Sequence, residues 1–216
     1  MNDRRWILDR VHSAIADVDR ENGLPDLSRE GIDGGIDALV HRFIEEVEAV
    51  SGVVHHVPNI DAAARELETL IRSNQITSLA VSRDPLARAI SSRVIGQHEV
   101  LDPEDNQDAI AEADMGLTGA RLGISEHGTL MLAPEDDHGR LAALLPPHHV
   151  AILATSDLVG TLSEALARLG EEIPPTITFV SGPSRTADIE QTLVIGIHGP
   201  ARVDIILVDD RESGTT

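Results

Sequence analysis

The chain has 216 residues, enough for one substantial α/β domain with a small appendage. It carries 37 acidic residues against 17 basic ones, a formal net charge of -20, and every basic residue is Arg. A diffuse negative surface with no local basic patch disfavours nucleic acid and anionic lipid as partners, and the absence of Cys rules out disulfides, thiolate-held iron–sulfur clusters and a Cys nucleophile.

Acid excess without Lys fits a protein adapted to a salty cytoplasm, where screening removes self-repulsion, and fits equally a genome that favours Arg codons. The first segment, "MNDRRWILDRVHSAIADVDR", is charged and amphipathic rather than a signal peptide. No apolar stretch approaches the roughly 20 residues of a membrane span. The expectation is a soluble cytoplasmic protein without membrane insertion.

Trp6, Ile7, Val11, Ile15 and Val18 recur at three- and four-residue steps, as do Ile36, Leu39, Val40, Phe43, Ile44 and Val47. Both patterns predict amphipathic helices, joined by the linker "ENGLPDLSREGIDGG". Residues 1–51 therefore read as an N-terminal helical arm that must bury its apolar faces on a larger body.

From residue 52 short β-like runs alternate with helical ones: "GVVHHV", "IDAAARELETLIRS", "ITSLAV", "DPLARAISS", "HEVL" and "NQDAIAEAD". That alternation predicts parallel strands joined by crossover helices. "MGLTGARLGIS" and "GTLMLAP", either side of "EHG", predict a hairpin inserted into the parallel pattern. The alternation resumes with the strand "HHVAILAT", a helix "DLVGTLSEALARLG" stopped by Gly170, the strand "TITFVS", a short helix, and the closing pair "TLVIGIHG" and "ARVDIILVDD". The fold class expected is α/β, with three layers: a mostly parallel sheet over residues 52–210, helices on both faces and a hairpin insertion. Residues 211–216 read as a disordered tail.

Ligands of such sheets sit where parallel strands end and helix N-termini begin, which singles out "VSRDP", "ATSDL" and "SGPSRTAD". Asp84 with Pro85, and Thr155 or Ser156 with Asp157, read as ordinary helix caps; Arg83 is unusual at a cap and stands as a possible ligand contact. The third turn carries more than capping requires. Gly182 permits a close approach, Pro183 fixes the turn, Ser184 and Thr186 bring hydroxyls and Arg185 a forked cation, with Asp188 following. This is the composition of an anion cradle at a helix start, and His198, in "GIHGP", can reach back toward it.

At the hairpin tip, Glu126 and His127 could act as base and acid, and Gly128, which has no side chain, would let backbone approach a bound group, with Thr129 next to it; a solvated turn explains the same residues. The pairs His55-His56 and His148-His149 lie in strands, where neighbours point to opposite faces, so neither pair chelates, and no metal site is expected.

Taken together, "EADMGLTGARLGISEHGTLML", "HHVAILATSDLVGTLSEAL" and "TFVSGPSRTADIEQTLVIGIHGPARVDIILVDD" resemble the LUD domain of the lactate-utilisation family, in its small cluster-free branch. The resemblance runs over most of residues 75–210. It implies a fold similar to the sugar-phosphate isomerase and coenzyme A transferase group. It also implies a part in oxidising L-lactate to pyruvate beside partner subunits that carry iron–sulfur clusters, with no cofactor in this chain. The related hairpin motif usually has a hydroxyl residue where this chain has His127.

Two functions follow as expectations. The first is a cluster-free component of a lactate-oxidising complex that binds a carboxylate or other small anion through Gly128, Thr129, Gly182, Ser184, Arg185, Thr186, Asp188 and His198. The second is an independent isomerase or acyl-transferase acting on a phosphorylated or coenzyme A-linked substrate, with Glu126 as catalytic base or nucleophile.

Overall fold

Long runs of β-branched and aliphatic residues without alternation, such as "HHVAILA" and "RVDIILV", read as strands buried on both faces. The computed structural model, which describes residues 5–8, 10, 13, 32, 34–94, 98–101, 107–133, 137–169, 174, 176–187, 193–195 and 199–211, places them so. Six strands form one all-parallel sheet: β1 (Val53–Val57), β2 (Ser78–Val81), β3 (Glu99–Leu101), β4 (Met115–Gly119), β7 (His148–Ala154) and β12 (Arg202–Val208). Their order is β1-β12-β7-β4-β2-β3.

The expected crossover helices follow their strands. In α2 (Ile60–Ser73), Asn59 caps the start by accepting from the Ala62 N–H, and Ala63, Ala64, Leu67, Leu70 and Ile71 form the buried stripe. In α3 (Pro85–Ser91) the Asp84 carboxylate accepts from the Leu86 and Ala87 N–H groups, with Pro85 in the first turn, as the sequence predicts. These two helices cover one face of the sheet, packing on Leu79, Val81, Leu117, Val150, Ile152 and Ile206.

The opposite face is covered by α1 (Gly35–Ala49), α4 (Gln107–Glu112), α5 (Asp137–Leu144) and a second sheet. Phe43 and Val47 of α1 are fully buried against Leu153, Leu158 and Leu130, so this helix lays its apolar face on the α/β body. The second sheet has the order β8-β5-β6-β9, from β5 (Leu122–Ile124), β6 (Thr129–Leu132), β8 (Leu158–Val159) and β9 (Thr178–Val180). Its far side carries α6 (Leu162–Leu169), through Ala165 and Leu169.

Three expectations change here. The hairpin β5–β6 forms, but as the middle of that separate sheet. "TITFVS" pairs antiparallel with β6 and is not a strand of the parallel sheet. "DLVGTLSEALARLG" is not one helix: a 3-10 turn (Thr155–Asp157) and β8 come first, and α6 starts only at Leu162. In each case a short apolar run fits either a strand or a buried helix, and the tertiary partner decides. α6 ends at Leu169; Gly170 lies outside the described residues, as does most of the expected first helix.

A glycine sets how closely α5 approaches the sheet. A Cβ on Gly116, in β4, would lie 1.7 Å from the Ala142 carbonyl oxygen. Gly116→Ala is therefore expected to push α5 off the sheet and cost about 2 kcal/mol or more, read as a lowered urea midpoint; an unchanged midpoint would mean that the helix is free to shift.

Candidate functional site

Four of the residues that the sequence singles out, Gly128, Thr129, Gly182 and Arg185, come together at the C-terminal end of α1. Gly128 adopts φ 58°, and a Cβ there would fall 2.4 Å from the Val47 backbone nitrogen, so the hairpin tip lies directly on the last turn of the helix. Gly182, with φ 76°, closes from the other side, its missing Cβ 2.7 Å from the Val50 carbonyl oxygen. The Thr129 and Ser181 hydroxyls join the two at 2.6 Å. Arg185 reaches the same helix end, where its Nη2 donates to the Val50 carbonyl at 2.8 Å and to the Ser51 hydroxyl. A cation on unpaired carbonyls at a helix C-terminus complements the helix dipole.

This geometry corrects the expected cradle. Residues 185–187 are not the start of a helix but β10 (Arg185–Ala187), paired antiparallel with β11 (Leu193–Ile195). The Ser184 N–H donates to the Pro200 carbonyl, and the Ser184 side chain lies against Gly199. Among the described residues no helix N-terminus presents free N–H groups at this turn. Thr186 lies in β10; Asp188 and His198 lie outside the described residues.

Glu126 is next to the same corner and has a local task. Its N–H donates to the Gly160 carbonyl, and its Oε1 accepts from the Leu162 N–H at 3.2 Å, which caps the first turn of α6. The exposed His127 lies 3.4 Å away through Nε2.

At the carboxyl end of the parallel sheet, strand order reverses between β2 and β4, the point where such sheets form their crevice. Here the Asp84 carboxylate packs on Gly119, where a Cβ would fall 2.0 Å from its carbon. Thr155 and Ser156, expected as helix caps, instead donate their hydroxyls to Asp210 at 3.0 and 2.6 Å. Burial raises the Asp157 carboxyl above its ordinary value, and the nearby Asp210 and Asp84 charges add to that. Arg211, placed by the sequence in a disordered tail, bonds Asp209 through Nε and Nη2 and Asp37 of α1 through Nη1 at 2.6 Å. This edge is acidic and held together internally, and among the described residues no group of three or more His, Asp or Glu is placed to hold a metal ion.

The sequence reading misses a third cluster, near the amino ends of β1, β7 and β12. Asp204 has no exposed surface and stands in an otherwise apolar strand. It accepts from His55 Nε2 at 2.8 Å, from His148 Nε2 at 2.7 Å, and from Arg202 through Nε at 2.6 Å and Nη2 at 3.0 Å. Burial opposes its ionisation, but the bonds from His148, His55 and Arg202 outweigh it and hold the carboxyl far below the usual range. Alternation does send the members of each His pair to opposite faces. What it hides is that His55 and His148, one from each pair, meet across β12. The signal available was a lone Asp inside "ARVDIILV", which cannot be buried without partners.

His149, on the other face, is fully buried, with Nε2 2.8 Å from the Thr118 hydroxyl and no partner for Nδ1 among the described residues. Burial, with the neighbouring His148, pushes it down to about 4. Its unfolded value is the ordinary 6.5, so the unfolded chain binds this proton first and the associated stability, present above pH 6.5, drains away as pH falls toward 4.

The comparisons with known proteins can be set on this geometry. The LUD domain family model matches residues 40–208, from the middle of α1 to the last residue of β12. The chain belongs to the LUD-domain family. Among its relatives, a lactate utilization protein C from Halalkalibacterium halodurans is 42% identical over 106 residues, covering 46% of this chain and 46% of that protein. Lactate utilization protein C 1 from Bacillus mycoides is 39% identical over 116 residues, covering 51% and 50%. The match thus spans about half the length of these relatives. The crystal structure of a DUF162 family protein from Deinococcus radiodurans superposes with a TM-score of 0.61 over 81% of this chain and 99% of that one, at 21% identity, which establishes the shared fold. The matched range contains all six strands of the main sheet and Gly128, Thr129, Gly182 and Arg185.

The buried imidazole sets one measurable property of this LUD domain. Between pH 6.5 and 4.5 its stability should fall more steeply than that of His149→Gln, with the full contribution of the proton on the order of 3 kcal/mol. Equal slopes in urea titrations across that range would show that His149 is not held neutral by the fold.

Proposed function

We propose that this LUD-domain chain is a cluster-free component of a lactate utilisation system, in which L-lactate is oxidised to pyruvate together with partner subunits that carry iron–sulfur clusters. The family match over residues 40–208, with relatives named lactate utilization protein C, carries this reading. The chemistry of the chain is compatible with the division of labour. Oxidation of the lactate C–H and O–H releases two electrons and two protons, and a chain without Cys supplies no thiolate to ligate the clusters that would take those electrons.

We assign the contact with a small carboxylate to the corner at α1. Arg185 is exposed, and its Nη2 is used on Val50 and Ser51, while Nε and Nη1 have no bond among the described residues. A guanidinium fixed at one nitrogen presents its remaining N–H groups at a defined angle, and a carboxylate is the acceptor that matches them. Glu126 has a capping role at α6 that accounts for its position without catalysis.

Deleting the gene, in a host without a second copy of this family, is expected to impair growth on L-lactate and spare growth on glucose, and purification of the native protein should bring down an iron–sulfur subunit. Normal growth on lactate would overturn the assignment to that system. Arg185→Ala removes the two bonds to α1 and the carboxylate contact together. It should lower the melting temperature by a few degrees, for about 1 kcal/mol, and fail to restore growth on lactate at a temperature where the variant is folded; full restoration would remove the anion from this corner.

A further inference from the structure

His55 stands between two carboxylates on different elements. Its Nε2 is 2.8 Å from Asp204 Oδ1 on β12, and its Nδ1 is 2.9 Å from Glu66 Oε1 on α2. An ionised carboxylate only accepts, so both contacts are hydrogen bonds only when both ring nitrogens carry a proton, that is, when the imidazole is charged. The neutral ring has one N–H and must turn a lone pair toward one of the two carboxylates.

The other charged groups decide which contact is lost. Asp204 is fully buried and is also held by His148 from β7 and by both Nε and Nη2 of Arg202 from its own strand. Arg202 is in turn fixed to α2 by Nη1 donating to Asn74 Oδ1 at 2.7 Å. The His148 bond needs only an Nε2–H, which the neutral ring supplies. Asp204 therefore keeps its place and keeps the His55 Nε2–H, because leaving that buried carboxylate short of a donor costs most. Glu66 is only partly buried and can turn to water, so the contact that breaks is the one to α2.

We propose that His55 is a proton-operated clasp: its imidazolium ties Glu66 of α2 to Asp204 of the sheet, and loss of the proton releases the middle of α2 from the edge strand β1. The hydrogen bond to Asp204 raises His55 above the ordinary imidazole value, burial opposes this, and the Asp204 and Glu66 charges add to the rise against Arg202. The sign follows. A group whose folded value is raised contributes fully below pH 6.5 and loses that contribution as pH climbs through the raised value, so the clasp is shut in mildly acid solution and opens as pH rises beyond 6.5. Among the described residues β1 is an edge strand paired with β12 alone, so releasing α2 loosens the border of the sheet and leaves its centre intact.

Amide hydrogen exchange on the whole chain, corrected for the intrinsic pH dependence of exchange, tests this together with nitrogen NMR of the ring. At pH 6.5 both His55 nitrogens should be protonated, and between pH 6.5 and 9 opening of α2 should increase about tenfold relative to β4 and β7. Glu66→Gln should abolish that dependence, because a carboxamide can accept from the charged ring or donate to the neutral one. A neutral His55 ring at pH 6.5, α2 protection that stays level with β4 across the range, or a Glu66→Gln protein that keeps the full dependence would each overturn the clasp.

Discussion

A carboxylate with no exposed surface in the second strand of a six-stranded parallel sheet has to be matched before the sheet can close. Asp204 meets that requirement with four hydrogen bonds from three residues, and those residues tie down everything around it. His148 brings in β7, His55 brings in β1 and, through Glu66, α2; Arg202 adds the C-cap of α2 through Asn74. The hydrophobic contacts on this face are non-directional and would tolerate a one-residue slip in the pairing of β12. A slip would turn Asp204 to the opposite face, among Ala143, Leu153 and Leu130, with no donor described there to receive it. Register at the amino end of the sheet is therefore an electrostatic matter, while the apolar residues between the layers supply the bulk of the burial.

The corner at α1 shows a different economy. Gly128 and Gly182 sit at two close approaches to the helix end, and Thr129, Ser181 and Arg185 connect the pieces. The polar residues that make "SGPSRTAD" look like an anion cradle are accounted for in part by this packing, since a helix C-terminus leaves carbonyls that need donors. The bonds of one Arg185 nitrogen to Val50 and Ser51 fix the guanidinium in place, and for the proposed carboxylate contact a side chain fixed in advance loses less entropy on binding.

Most of the parallel sheet is legible from the sequence because its longer strands are apolar runs that alternate with helical segments, one of them opened by the Asp84 cap and Pro85. The second sheet is not, because β5, β8 and β9 are two or three residues long and have no period of their own. Their identity depends on β6, which pairs with two of them. The helix after "SGP" fails for a related reason: Gly, Pro and hydroxyl residues favour a helix start and a strand entry alike, and the antiparallel partner β11 decides. The choice of "SGPSRTAD" and the hairpin tip as one place in space does emerge from the residues, since Gly at both positions signals close approach. The Asp204 cluster escapes because adjacent histidines are judged by their sequence neighbours, whereas strand pairing joins residues 55, 148 and 204.

The exclusive use of Arg takes on a structural meaning in these networks. Arg202 grips both oxygens of Asp204 and a third acceptor on α2; Arg211 grips Asp209 with two nitrogens and Asp37 with a third. Each of these positions asks for a planar fork with a spare donor, and the point charge of a Lys could not satisfy three acceptors at these angles. With 37 carboxylates and 17 guanidinium groups, most acids must go without a cation. Each end of β12 carries a carboxylate against the body of the sheet, and each is met by one of these guanidinium forks, Asp204 by Arg202 and Asp209 by Arg211. Exposed acids without a cation are screened by water and salt, whereas a buried carboxylate such as Asp204 cannot be, and the forked side chain of Arg202 answers that need.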